Sequence, residues 1–441
     1  MRMIRVVFLA VLAVVALRVF AAGEEIFAYR VQYDLAAPSV VHISIKLGAP
    51  GEAPLTLIIP RSVPGGYGQR PYDPFVINVK AYTEAGGAAE VRRDEIAPRW
   101  AIGHHGERVS RVEYDVDVTR MEREIFDVSA TSKIREGYVG LLGYSVFAFF
   151  EGRENRAIDL QVAAPEGWPV FSTLEPRVPA ETSALTARAP DYYALADSQI
   201  MLGPKLRLEK RGGDVPLFVS AYSEADDDLA VESTLARDAL DKVIAYFGEA
   251  PFSHYTVVLE FLRPLSPQHQ YNFSMEHLNS GTFYMDVDHA LTAKSTDLEK
   301  EAHRFNYAHH IAHSWIPKHA YGAGYFPFTW DMTPVIDTIW FNEGFGRYVA
   351  IAALADALPK DEAARYRKEK LDRLRRIVAE APEFVQRMRL DELSREGSFL
   401  YSDDFRVGMN LFARGALMAG EMDDRIRAQT KGQKSLRDAL R

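Results

Sequence analysis

The hydrophobic pattern of this 441-residue chain changes once, near residue 210. Before that point, runs such as VVHISIKL at residues 40–47 alternate apolar with polar side chains, and turns rich in glycine and proline separate them. This period-two pattern predicts strands. After it, apolar residues recur three and four apart, as in residues 229–248, which predicts helices with a few strands between them. The sequence therefore predicts an α+β protein, with a β-rich, sandwich-like N-terminal domain over residues 23–208 and a mainly helical domain over residues 209–441.

The first 22 residues have the pattern of a signal peptide for export. Arg2 and Arg5 precede an apolar run from Val6 to Leu17, and small residues follow in the positions that precede a cleavage site. The run is too short for a comfortable membrane span, although Arg18 keeps open the alternative of an uncleaved anchor. Under either interpretation we expect the mature chain in a bacterial periplasm or secreted, with no membrane span beyond this segment.

Charge and composition restrict the partners and the metal ligands. The chain has 52 Lys and Arg against 61 Asp and Glu, a formal charge of -9, so nucleic acid is not expected as a partner because phosphate neutralisation needs a basic face. It has no cysteine, so any metal site must use histidine and carboxylate ligands. Nine of the 12 histidines fall between His254 and His319, which favours a metal site in that region.

The stretch YAHHIAHSW, which begins at Tyr307, holds the best candidates for metal ligands. The sequence TDLE is a capping box that predicts a helix beginning at Thr296, with an apolar face that includes Leu298. His309 and His313 are one turn apart on this helix, so both rings can project to one side and bind one ion.

A catalytic zinc site needs a third protein ligand and an open fourth position. Glu343, in the helical stretch IWFNEGFGRYVAIAALADA, follows His313 after an interval of 29 residues and can supply that ligand. The alternative is a surface glutamate near a helix start, where the helix dipole favours negative charge.

These segments together resemble the glycyl aminopeptidase family of zinc metallopeptidases, which often carries a C-terminal PDZ domain. The pattern HHIAHSW…WFNEGFGRY is similar to the metal-binding pattern of that family. Four further segments also resemble it: SMEHLNS, LADSQIMLG, VPGGYGQRPYDPFV, and the late stretch that begins LFARGALMAG. The resemblance extends over nearly all of the mature chain.

The resemblance implies a thermolysin-like (gluzincin) catalytic domain after the β-rich domain. It implies Zn²⁺ held by His309, His313 and Glu343, with Glu276 on an edge strand binding the free amine of a peptide. It also implies an aminopeptidase that prefers small N-terminal residues, with peptide N-termini as its partners.

Two catalytic positions depart from the family pattern. His310 stands where the family has the glutamate that acts as general base, and loss of that function typically costs about 10²–10⁴ in rate. Phe412, in LFARG, stands where related enzymes have a tyrosine whose hydroxyl stabilises the oxyanion, a loss of about 10²–10³. Imidazole can act as a base, but a nearby cation lowers its pKa. Tyr401 is a candidate replacement for the missing hydroxyl.

The chain ends at Arg441, before the position at which the family continues into its PDZ domain. We expect either that the PDZ domain is absent from this protein or that the sequence is a fragment.

Three functions remain open. We expect an exported protein with a metallopeptidase fold that retains a zinc and peptide-amine site and has weak or no hydrolytic activity. The alternative is an active zinc aminopeptidase in which His310 acts as the general base. A third candidate is a protein that sequesters metal, which predicts tight zinc binding without peptide affinity; the irregular spacing of the other six clustered histidines disfavours it.

Overall fold

The structure, a computed structural model, describes residues 25–125, 130–401 and 404–440. The predicted signal peptide, residues 1–22, lies outside these residues. The strands are β1 (Phe27–Tyr33), β2 (Val40–Glu52), β3 (Leu55–Ile58), β4 (Val76–Thr83), β5 (Ala88–Ala89), β6 (Val91–Arg93), β7 (Arg99–Ile102), β8 (Arg108–Asp117), β9 (Lys133–Arg135), β10 (Tyr138–Leu142), β11 (Phe149–Phe150), β12 (Ile158–Ala163), β13 (Pro169–Ser172), β14 (Glu181–Thr182), β15 (Ala184–Ala189), β16 (Gln199–Leu202), β17 (Arg207–Arg211), β18 (Leu217–Ser223), β19 (Tyr255–Leu262), β20 (Asn272–Glu276) and β21 (Ser280–Asp286). The helices are α1 (Val118–Glu124), α2 (Gly143–Val146), α3 (Tyr192–Ala196), α4 (Leu229–Phe247), α5 (Asp297–Ala312), α6 (Ile339–Asp356), α7 (Lys360–Glu380), α8 (Glu383–Arg387), α9 (Leu390–Leu400), α10 (Phe405–Gln429) and α11 (Arg437–Leu440).

Strands β1–β16 form three sheets. Their orders are β15-β12-β1-β2-β8-β4-β5, β14-β13-β16-β10-β9 and β11-β3-β7-β6. The alternation predicted from the sequence sets the inward face: in β1, Tyr29 and Val31 are buried whereas Arg30 between them is exposed. The inward side chains of all three sheets share one hydrophobic core. Together with the helical second half of the chain, this confirms the predicted α+β fold class.

A fourth sheet, in the order β17-β18-β19-β21-β20, opens the second half of the chain. Strands β18, β19 and β21 are parallel, and β20 pairs antiparallel with β21 at the sheet edge. Strand β19 is buried along its whole length because both faces of this sheet are covered. Val257 and Leu259 pack into the helical core, and Val258 and Leu262 pack into the core of the N-terminal sheets.

Helix α5 begins as the sequence predicts. Oγ1 of Thr296 accepts a hydrogen bond from the backbone N–H of Glu299, and the Glu299 carboxylate accepts one from the backbone N–H of Thr296. The predicted apolar face was wrong at its start, because Leu298 is 81% exposed where the first turns extend beyond the core. Burial begins at Tyr307 and continues to the end of the helix.

Helices α6 and α10 pack in very close contact. A Cβ atom added to Gly344 would lie 2.4 Å from Cα of Gly415, so only glycine allows the two backbones to approach this closely. The contact fixes Glu343, which adjoins the first glycine, and Phe412, which lies one turn before the second, on facing helices. None of the helices in the described ranges is long and apolar enough to cross a membrane.

Two buried charge clusters join the halves of the chain. Lys133 on β9 and Glu260 on β19 lie 3.7 Å apart and are almost fully buried. Lys318, which follows α5, lies 3.4 Å from Asp197 and donates to the carbonyl oxygen of Pro64 at 3.2 Å. The second cluster thus fixes the segment after α5 against a loop of the N-terminal region.

Candidate metal centre

His309 and His313 lie one turn apart at the end of α5, and Glu343 lies in the second turn of α6. The helices share one hydrophobic core, which holds the three side chains against each other. A Cβ atom on Gly346 would lie 3.0 Å from Cε1 of His313, so glycine at that position lets α6 approach the ring. The structure therefore brings together the three predicted ligand residues, which lie on two separate helices.

The potential ligand atoms of these residues converge on one point. The Nε2 atoms of His309 and His313 are 3.2 Å apart. Oε2 of Glu343 lies 3.5 Å from Nε2 of His313 and 3.8 Å from Nε2 of His309. All three residues are buried, and this is the one group of three or more such side chains in the described residues whose geometry suits a metal ion.

The surroundings of the His313 ring favour a positive charge at the centre. Its Nδ1 donates to the carbonyl oxygen of Ile316 at 2.7 Å, so the lone pair of Nε2 in the neutral ring faces the centre. Burial opposes a charge on this ring, but the carboxylates of Glu276 and Glu343 raise the pKa of His313 to about 9. Burial and the neighbouring His313 hold the pKa of His309 well below its ordinary value. Nitrogen and carboxylate lone pairs that meet at these distances repel each other unless one cation or proton lies between them.

The residues present fit Zn²⁺. Ligand atoms on a tetrahedral zinc ion lie about 2.0–2.2 Å from it, and therefore about 3.3–3.6 Å from each other, close to the spacings here. Two imidazoles and one carboxylate form a zinc ligand set that leaves a fourth position open for substrate. The buried, convergent lone pairs of His309, His313 and Glu343 supply this set.

His310 lines the same cleft as a neutral ring. Its Nδ1 donates to the carbonyl oxygen of Asn306 at 2.9 Å. Burial, and then the neighbouring His313, lower the pKa of His310 to about 4. At neutral pH this ring therefore carries no charge and is a weak base.

Glu276 lies at the end of the edge strand β20 and is buried. Its Oε1 atom accepts no hydrogen bond from the described residues. Gly65, in a loop of the N-terminal region, covers this carboxylate: an added Cβ would lie 2.2 Å from Oε1. A buried carboxylate oxygen without a donor is costly unless a ligand supplies one.

Phe412 and two tyrosines form one wall of the cleft. The Phe412 ring lies 5.5 Å from the His309 ring and has no group that can donate a hydrogen bond. Tyr401 lies 6.0 Å from Phe412 and 4.9 Å from Tyr67, measured between ring centres. The hydroxyl of Tyr67 accepts a hydrogen bond from Nδ2 of Asn342 at 3.3 Å, beside Glu343 in the chain.

The cleft has a volume of about 410 Å³. Several residues of its lining were not among the predicted site residues, including Tyr67 from the N-terminal region and Arg347 from α6. Tyr67 lies in the segment VPGGYG, whose paired glycines were the available signal. Arg347 lies one turn after Glu343, and that spacing was the signal for it.

Other clustered histidines lie away from the metal ligands. His303 contacts Glu232 on α4 at 3.1 Å, and His277 contacts Asp197 at 3.1 Å. His254 contacts the carbonyl oxygen of Thr173 at 3.1 Å. These three rings therefore bind neighbouring side chains or backbone instead of joining the centre.

Comparison with known proteins identifies related folds. Residues 28–204 match the model of the peptidase M61 N-terminal domain. Among solved structures, the chain is similar to an aminopeptidase N family protein from Idiomarina loihiensis, with a TM-score of 0.77 and 19% identity over 94% of this chain and 69% of that chain. No curated protein matches the chain. Residues 28–204 are therefore similar to the N-terminal domain of M61 peptidases, and the whole chain has a fold similar to that of the Idiomarina loihiensis protein.

Proposed function

We propose that this protein is an exported, metallopeptidase-fold protein that holds Zn²⁺ on His309, His313 and Glu343 and binds the free amino terminus of a peptide at Glu276, with little or no hydrolytic activity. The observation that carries this proposal is the position of Glu276. Oε1 of its carboxylate is buried and has no donor among the described residues, and Glu276 lines the cleft that contains the three convergent ligand residues.

Each retained group has a role in binding. Zinc, when bound, polarises the carbonyl of a peptide bond next to it. The Glu276 carboxylate accepts hydrogen bonds from a peptide ammonium group, and such charge-assisted bonds are strong in a desolvated site. Gly65 lies against that carboxylate, so a side chain at position 65 would displace it from the cleft.

The two substituted positions support impaired hydrolysis. His310 is hydrogen-bonded to the backbone carbonyl of Asn306, and burial lowers its pKa, which makes it a poor acceptor of a proton from water at neutral pH. Phe412 places a bare ring 5.5 Å from His309, where it can stabilise no oxyanion. If the costs of the two losses in activation free energy are additive, together they lower the rate by roughly 10⁴–10⁷-fold.

The alternative is an active zinc aminopeptidase that removes small N-terminal residues with His310 as general base. The hydroxyls of Tyr67 and Tyr401 favour this alternative, because both tyrosines line the cleft and can replace the missing hydrogen-bond donor. This function still requires His310 to accept a proton in the transition state.

The predicted export signal supports a location in the periplasm or outside the cell. Glu25 is the first residue that the structure describes, so the signal stands on the sequence pattern alone.

The deciding experiment is hydrolysis of glycyl and alanyl p-nitroanilides by the zinc-loaded mature protein, with H309A as control. We expect no turnover above the control, together with calorimetric binding of alaninamide that E276Q abolishes. Turnover that disappears in H309A would favour the active aminopeptidase. A folded protein that binds neither zinc nor alaninamide would contradict both functions.

A further inference from the structure

Arg347 brings a positive charge into the metal cleft. It lies one turn after Glu343 on α6, and its side chain lines the cleft together with His309 and Phe412. The guanidinium carbon is 5.4 Å from the centre of the Phe412 ring and 5.3 Å from that of Phe305. The group is thus fixed between two aromatic rings instead of extending into solvent.

This guanidinium has no acidic partner in the described part of the chain. The carboxylate of Glu343 attracts it but forms no ion pair with it, because that carboxylate is directed at the two imidazoles. Burial, and then the positive charge of Arg373, lower the pKa of Arg347. A partly buried cation without a counter-ion is unfavourable, so an anion that enters the cleft gains a strong charge-assisted contact.

The surroundings of Arg347 add positive charge at this end of the cleft. Lys370 on α7 lies 5.0 Å from the centre of the same Phe305 ring, and Arg373 is one turn further along α7. Lys370 is 3.6 Å from Glu301, whereas Arg347 alone of the three lines the cleft. The field here therefore favours a negative group, and of these three residues Arg347 is the one that can contact it.

The opposite charge lies on the edge strand. Glu276 on β20 and Arg347 on α6 come from different elements and line one cleft together with the three metal-ligand residues. A molecule that satisfies both must carry an ammonium group and a carboxylate. A short, unblocked peptide has this distribution of charge.

The length of a short extended peptide suits the distance from the metal centre to Arg347. The centre of the Phe412 ring is 5.4 Å from the guanidinium carbon of Arg347 and 5.5 Å from the centre of the His309 ring, so both groups contact the same ring. An extended peptide advances about 3.3–3.6 Å per residue. Arg347 is therefore within about three extended residues of the metal centre, which is within the reach of the carboxylate of a short peptide.

We propose that Arg347 binds the carboxylate of a short peptide whose amino terminus lies at Glu276, so that the ligands of this cleft are zwitterionic dipeptides and tripeptides with a small first residue. This inference rests on the proposed amine site. The same guanidinium can bind the side-chain carboxylate of an aspartate at the second position of a peptide. The test therefore distinguishes the C-terminal carboxylate from a side-chain carboxylate.

The test is calorimetric titration of the zinc-loaded mature protein with Ala-Ala, Ala-Ala-amide, Ala-Asp-amide and Ala-Asn-amide. Since the chemistry is impaired, binding and not turnover is measured. We expect Ala-Ala to bind about 10- to 100-fold more tightly than Ala-Ala-amide. R347Q should remove this preference and leave Ala-Ala-amide binding unchanged, whereas R347K should retain part of it.

Control variants distinguish a failure of the role proposed for Arg347 from a failure of the amine site proposed at Glu276. R376Q removes an exposed arginine from α7 and should change nothing. E276Q should weaken all four peptides equally, because each has a free amine. Zinc content and thermal unfolding are measured for every variant, so that loss of folding is recognised.

The outcomes are distinct. Equal affinity of Ala-Ala and Ala-Ala-amide in the wild type, with both lost in E276Q, would overturn the role of Arg347 and leave the amine site intact. Preference for Ala-Asp-amide over Ala-Asn-amide without a preference for Ala-Ala would support carboxylate binding and assign it to the side chain. Failure of every peptide to bind the folded, zinc-loaded protein would overturn both proposals.

Discussion

Gly65 and Glu276 come from opposite halves of the chain, yet they are in direct contact. A Cβ atom on Gly65 would lie 2.2 Å from Oε1 and 2.8 Å from the carboxyl carbon of Glu276. The φ angle of Gly65 is 94°, in the left-handed region that glycine adopts most readily. A loop of the N-terminal region therefore contributes one wall of the proposed amine site. The hydrogen bond from Nζ of Lys318 to the carbonyl oxygen of Pro64 fixes this loop.

G65A should weaken binding of alaninamide by about 10- to 100-fold, the value of one or two charge-assisted hydrogen bonds. The added methyl group must displace the carboxylate of Glu276 from its present position. Zinc content should remain stoichiometric, since the metal ligands lie on α5 and α6. Calorimetry with alaninamide and metal analysis of the same preparation measure the two effects.

The matched control for this change is G86A. Gly86 also has a positive φ, 84°, but an added Cβ there has no neighbour within 4 Å. Both variants should lose about 1–2 kcal/mol of stability from backbone strain. If G86A weakened alaninamide binding as much as G65A, the effect would come from destabilisation and not from the contact with Glu276.

Local patterns predicted much of this molecule. The period-two runs, the capping box at Thr296 and the one-turn spacing of His309 and His313 all depend on residues close together in sequence, so they were visible without the fold. Glu343 could be predicted from the sequence because it lies near the start of a strongly apolar helix with a distinctive flanking pattern. The fold class and the start of α5 are confirmed by the structure.

The rest of the cleft depends on contacts between distant segments. Tyr67 and Gly65 lie in a loop between strands, and nothing local to that loop indicates that it packs on β20. Arg347 is one of many charged residues on predicted helices, and only the packing of α6 against Phe305 and Phe412 turns it into the cleft. Leu298 shows the opposite error, because periodicity cannot tell where a helix extends beyond its core.

H309A should abolish stoichiometric zinc binding and leave the N-terminal sheets folded. Removal of one of three ligands from this centre should lower the zinc affinity by more than about 100-fold, since even changes in the residues behind the ligands cost 10- to 100-fold. Metal analysis after dialysis measures zinc, and circular dichroism measures the fold. H289A, which changes an exposed histidine, is the control and should retain zinc. Unchanged zinc in H309A would refute the ligand assignment.

The buried pair Lys133 and Glu260 should make stability depend on pH. Burial lowers the pKa of Lys133 from its ordinary value of 10.5 to about 8, although Glu260 opposes the shift. Between pH 8 and 10.5 the unfolded chain therefore binds one more proton than the folded chain. The free energy of unfolding should rise with pH in that window, by at most about 1.4 kcal/mol per pH unit.

The double variant K133M with E260Q isolates this effect, because it removes both charges and leaves none unpaired. Denaturant unfolding at several pH values between 7 and 10.5 is compared for the two proteins. Many buried tyrosines also titrate in the alkaline range, so the difference between wild type and variant is the relevant quantity. A difference that stays constant with pH would show that Lys133 keeps an ordinary pKa in the folded protein.

H310E combined with F412Y should restore hydrolysis. The glutamate supplies a carboxylate base beside the metal ligands, and the tyrosine adds a hydroxyl to a ring that already lies 5.5 Å from His309. Each change should raise the rate on alanyl p-nitroanilide by about 10²-fold or more, with the double variant highest. F412Y alone should help less if Tyr67 or Tyr401 already supplies a donor.

The matched control for restored activity is the double variant with H309A added, which should lose the gain because the centre can no longer hold zinc. Initial rates with alanyl and glycyl p-nitroanilides are measured at equal zinc content. If the folded, zinc-loaded double variant stayed inactive, the lost base and the lost hydroxyl would not be what limits the chemistry. The lack of activity would then come from restricted entry of the substrate into the cleft. Gly65, Tyr67 and Arg347 are among the residues that line it.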